Sequence, residues 1–166
     1  MSVLSANVSP GLTLNLKTPR QLLEKLRVDF ERMKRDPMNA YAAFDFFVTA
    51  EHMPDWLGPK SVKFKEPLLQ IVSHIANGAK HLKASPERHD AVSDAEILSG
   101  HLDPKTFGPY FNVGGIYVEL TEKHFTEFGP RIRAIDLASK VLGYWTDRLQ
   151  LTRRDATAYA NAGGKS

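Results

Sequence analysis

Apolar positions recur at helical spacing in four long stretches of the chain and alternate in one short stretch. Thr18-Pro19 reads as an N-cap followed by proline at the first helical position. Leu22, Leu23, Leu26 and Phe30 follow on one stripe, widened by Val28 and Met33, so the spacing predicts helix one over residues 20–35. Asp36-Pro37 repeats the start signal. Helix two is expected over residues 38–55, stopped near Pro54 or by Gly58-Pro59. Residues 61–82 carry helix three, with Pro67 near its start and Ala84-Ser85-Pro86 beyond its end. Over residues 110–121 the period changes to two, Ile116, Val118 and Leu120 alternating with Tyr117, Glu119 and Thr121 as in a half-exposed strand. Gly114-Gly115 suits a turn or bulge before it, and the best partner strand lies within residues 88–98. After Gly129-Pro130, residues 131–151 form the fourth helix, marked by Ile132, Ile135, Ala138, Leu142, Trp145 and Leu149.

Four amphipathic helices, none hydrophobic all round, bury their faces most simply against one another. The expected fold is mostly α: a four-helix up-and-down bundle, one domain over residues 18–151, with a small β-hairpin insertion around residues 88–121 between helices three and four. Residues 1–17 read as an irregular arm and residues 152–166 as a flexible tail. A chain of 166 residues can bury a substantial core in one such domain.

Composition then narrows the chemistry. The absence of cysteine removes disulfides, thiolate metal sites and thiol catalysis together. A net charge of +3 is compatible with RNA or another polyanion but does not demand one, and basic runs stop at pairs such as Arg153-Arg154. No window of about 18 apolar residues occurs, so no membrane-spanning helix is expected. The first 17 residues lack the basic-then-apolar order of a signal peptide, which makes the cytoplasm the expected location.

The candidate chemistry centres on helix three, where His74 precedes Ile75-Ala-Asn-Gly-Ala-Lys-His81. His74, Asn77, Gly78 and His81 fall at i, i+3, i+4 and i+7, and therefore share one face. A mid-helix glycine costs about 1 kcal/mol relative to alanine, and buried imidazoles and amides require partners. On helix two, Asp45, Thr49, His52 and Trp56 form a polar stripe, with Asp55 beside it, next to the aromatic face of Phe44 and Phe47. If the two helices are antiparallel, His52 approaches His74, and Asp45 or Thr49 approaches Asn77 and His81.

Three readings fit these residues. In the first they form a buried polar network that fixes helix register, with Gly78 permitting close helix approach. In the second a histidine takes a proton from an RNA 2′-hydroxyl while Lys80 stabilises the phosphate. In the third His52, Asp55, His74 and His81 ligate a metal, although no Glu-x-x-His or HExxH spacing is present. His89, His101 and His124 are expected to be solvated. Trp56 and Trp145 are expected to fill core or bundle-end positions.

Two segments carry a resemblance: Phe46-Phe-Val-Thr-Ala-Glu-His-Met-Pro-Asp-Trp56 and Asn77-Gly-Ala-Lys-His81, with Gly143-Tyr-Trp145 on the last helix. With these pieces, residues 20–150 resemble the HEPN-like α-helical superfamily, which includes ribonucleases and inactive relatives. They look most like a bacterial branch with an Asn-Gly-x-Lys-His signature. In active members an arginine precedes the histidine by several residues. Carried onto this chain, His81 matches the histidine, whereas the arginine position falls on Ala76, Ile75 or His74, none of which is arginine. A neutral histidine does not replace a permanently charged, bidentate phosphate binder. The resemblance thus implies a non-catalytic or accessory binding module, homodimeric and without cofactor. RNA or a protein would be its partner, in a defence, toxin–antitoxin or mobile-element setting. The alternative it implies is a metal-independent endoribonuclease using His81, with Asn77, Lys80 and His74 around it. A metal-dependent bundle enzyme resembling the DinB-like hydrolases and transferases is the third possibility. In all three, Asp45, Thr49, His52, Asp55 and Trp56 are supporting or binding residues.

Overall fold

The computed structural model describes residues 16–57, 62–81, 90–98 and 114–162. Helix α1 spans Pro19–Arg35, and its start is the one the sequence announces. Thr18 Oγ1 accepts from the Gln21 N–H at 3.2 Å while Gln21 Oε1 accepts from the Thr18 N–H at 3.1 Å. Two of the orphan donors of the first turn are satisfied by this reciprocal pair. Helix α2 spans Ala40–Leu57 and runs through Pro54 rather than stopping there. Proline lacks the N–H that would bond back to Ala50, but in the last turn little helix remains to be disrupted.

The expected third helix is two pieces, α3 over Val62–Lys65 and α4 over Pro67–His81. Pro67 has no N–H to continue α3 and disfavours helical geometry at Glu66, yet it suits the first position of a new helix. Strand β1, Val92–Leu98, pairs antiparallel with β2, Gly115–Leu120, placing Ala95 opposite Val118 and Ile97 opposite Ile116. A 3-10 turn at Glu122–His124 and the short helix α5, Phe125–Phe128, follow. Gly129, at φ 75°, makes the left-handed turn that a side chain would strain.

Residues expected to open the fourth helix are instead strand β3, Arg131–Arg133, which pairs with β2. The expected hairpin is therefore a three-stranded antiparallel sheet, ordered β1-β2-β3. Helix α6 begins at Ala134 and continues to Ala162, past residue 151 where a loose tail was expected.

Helix α2 packs against α1 and α4, and α6 contacts all three. Their shared core is built on Leu26, Met33, Phe46, Phe47, Leu137 and Trp145. Val118, Leu120 and Ile132 bring the sheet's inner face into the same core. The Ile116 N–H donates to Pro37 O at 3.2 Å, which ties the sheet to the α1–α2 connection. No helix among the described residues is long and apolar enough to cross a membrane.

Candidate functional site

Helix α4 turns His74 toward the start of β1, where its ring acts as an acceptor. Nδ1 takes the N–H groups of Ala91 and Val92 at 3.1 and 2.9 Å. Accepting at Nδ1 places the ring proton on Nε2 and the imidazole in its neutral form. His74 is the hinge-pin between α4 and the sheet.

One turn on, Asn77 serves its own helix. Its Nδ2 donates to Ser73 O at 2.7 Å and lies 3.5 Å from Ser73 Oγ. The Ser73 hydroxyl donates in turn to Glu51 Oε1 at 3.2 Å, across the α2–α4 interface. Glu51 is only 7% exposed. This Glu51–Ser73–Asn77 chain links α2 to α4 through two residues, Glu51 and Ser73, that the sequence did not single out. Lys80 and His81 close α4, but their side chains lie outside the described residues.

Gly78 corrects an expectation. Among the described residues a Cβ built there meets nothing within 4 Å, so none of the described helices approaches this glycine closely. It carries the entropic penalty of a mid-helix glycine without a packing reason among the described residues. Gly78→Ala is accordingly expected to stabilise the monomer fold by about 1 kcal/mol. Denaturant midpoints at unchanged m-value would measure it, and a loss of stability would place an unseen neighbour against the site.

Asp45 and Thr49 of the α2 polar stripe face α1 rather than α4. Asp29, 3% exposed, forms an ion pair with Lys25 and lies 3.5 Å from Arg32 Nη1. Lys25 Nζ donates to Thr49 Oγ1 at 3.0 Å, and that hydroxyl lies 2.7 Å from Asp45 O and 3.1 Å from Asp29 Oδ2. Arg32 Nη1 donates to Asp45 Oδ2 at 2.6 Å, and this bond leads the effects that hold the guanidinium above its ordinary pKa. Asp45 and Thr49 are thus joined to α1, and the expected approach to Asn77 and His81 is replaced by this network. His52 and Asp55 pair with each other at 3.6 Å on the outer side of α2. Trp56 packs on the core and Trp145 is fully buried in it.

His124, expected to be solvated, is buried at 3% exposure, and among the described residues its Nε2 has no hydrogen-bond partner. Burial, followed by the neighbouring Lys123 charge, holds its pKa below the ordinary histidine value. His89 and His101 lie outside the described residues. Among the described residues no three His, Asp or Glu side chains are grouped as a metal site. Comparisons with protein-family models, with curated proteins and with solved structures found no match.

Proposed function

We propose that this chain is a non-catalytic, HEPN-like binding module that acts as a homodimer in the cytoplasm. In this reading α1, α2, α4 and α6 are the four helices of an up-and-down bundle, and the sheet is its insertion. The observation that carries it is that His74 and Asn77, two polar residues of α4, are taken up by the protein's own backbone, the side chain of His81 lying outside the described residues. A general base must offer its lone pair to the substrate. The Nδ1 lone pair of His74 is taken by two backbone N–H groups, and the Asn77 amide is held by Ser73. The position where the resemblance looks for arginine is filled by Ala76, Ile75 or His74.

The dimer is supported by two features. The resemblance implies a homodimer, and among the described residues the space beside Gly78 is open to a facing copy. Tyr41, Phe44 and Val28 are exposed on α1 and α2, giving the module apolar surface for a protein partner.

Two measurements on the purified chain test this proposal. Light scattering should return twice the monomer mass of 18.6 kDa. Incubation with a mixed RNA pool in EDTA should leave the RNA intact. A monomer at high micromolar concentration contradicts the dimer. Cleavage that disappears in His81→Ala replaces the binding module with the metal-independent ribonuclease.

A further inference from the structure

The entry to β1 is held by the His74 imidazole, which suits its place only while Nδ1 is unprotonated, and a second imidazole, His124, lies buried behind the Thr121 connection. His74, from α4, accepts the Ala91 and Val92 N–H groups at Nδ1. On the other side of the same residues, the Thr121 N–H donates to Ala91 O at 3.2 Å and the Thr121 hydroxyl donates to Asp90 O at 2.7 Å. The His124 N–H donates to Thr121 O at 3.0 Å, and its ring lies buried with no partner at Nε2 among the described residues. Ala91 itself is buried in the core.

A proton on His74 Nδ1 would point an N–H at two other N–H groups, and both hydrogen bonds would be lost. A proton on His124 would create a buried cation. We propose that this junction is a proton-operated latch: protonation of His74 releases the start of β1 from α4, and a proton on buried His124 loosens the Thr121 connection beside it, while the helical core stays folded.

Asp90 pairs with Lys123 at 3.1 Å. Burial and the Lys123 charge lower the His124 pKa against the upward pull of Asp90 and Glu127. Glu51, on α2, already accepts from Ser73 beside His74. Glu66, Tyr144 and Arg148 interact around the far, N-terminal end of α4. For a histidine whose folded pKa is lowered, stability is full above the ordinary value of 6.5 and is lost as pH falls through the folded value. The latch therefore opens on acidification.

Amide hydrogen exchange, corrected for intrinsic rates, reads this directly. Between about pH 7.5 and about pH 5.5, protection of Ala91 and Val92 should fall about tenfold or more, while the Leu26 and Phe46 amides keep theirs. In the double variant His74→Asn with His124→Leu, the Asn Oδ1 accepts at either pH and nothing titrates, so the fall should vanish. No local fall in the wild type overturns the latch, as does a fall that persists in the folded double variant. Should that variant not fold, imidazole nitrogen shifts of the wild type decide. An unprotonated His74 Nδ1 near neutrality that gains its proton as protection falls supports the latch, and an Nδ1 already protonated there overturns it.

Discussion

Replacing Trp145 with alanine is expected to lower the free energy of unfolding by about 3–5 kcal/mol. The indole is fully buried on α6 and lies edge-on to Tyr144, with ring centroids 4.9 Å apart and an interplanar angle of 87°. Helix α6 meets α1, α2 and α4, so the cavity left behind would open at the centre of the molecule. Against a total stability of about 5–15 kcal/mol, that loss is a large fraction. Among the described residues Nε1 has no hydrogen-bond partner, so the loss comes from packing and apolar burial. Trp145→Phe should therefore keep most of the stability, because it removes an unsatisfied donor along with part of the ring. Urea unfolding of the three proteins measures both effects. A loss below about 1 kcal/mol in the alanine variant would show that Trp145 does not fill the core.

Local signals in the sequence foretold the elements that obey them. Thr18-Pro19 marks the start of α1, and the alternation from Ile116 to Leu120 marks β2. The partner strand falls where the sequence placed it, within residues 88–98. Arg131–Arg133 was not legible as a strand, because three residues carry no period of their own and Ile132 lies in phase with the helix that follows. Its strand character comes from pairing with β2, a tertiary effect. Likewise, the sequence shows Pro67 but not whether it opens one helix or separates two.

The candidate site was legible in part for a related reason. Asn77 and His74 stand out as polar residues amid an apolar run, and both are half-buried and hydrogen-bonded to backbone groups. Their partners were not identified. Glu51 and Ser73 read as ordinary polar positions, because a contact between helices leaves no trace in the spacing of either one. Asp29 did leave a signal, since it takes the place of an apolar residue on the stripe of Leu22, Leu26 and Met33. A charge on a core stripe points to partners that hold it, here Lys25 and Arg32 on its own helix and Thr49 across the α1–α2 interface. Gly78 misled for the opposite reason. Small size permits a close approach but does not produce one.

The central claim is that the polar signature of α4 serves the fold, and the stability of His74→Ala tests it most directly. Alanine removes the shared acceptor of Ala91 and Val92, leaving two N–H groups without their partner at the edge of the core. Each unsatisfied buried donor costs about 1–3 kcal/mol, and water entering the vacated space recovers part of it. The expected net loss is about 2 kcal/mol, which lowers the melting temperature by several degrees in a domain of this size. His74→Asn, which keeps an acceptor oxygen near the position of Nδ1, should recover most of that loss. Residues held for chemistry rather than for the fold behave in the other sense, and their removal leaves stability unchanged or raises it. A thermal unfolding curve of His74→Ala lying several degrees below the wild type near neutral pH is the predicted result. A curve that coincides with the wild type, or lies above it, would contradict the structural role and return His74 to the candidates for catalysis.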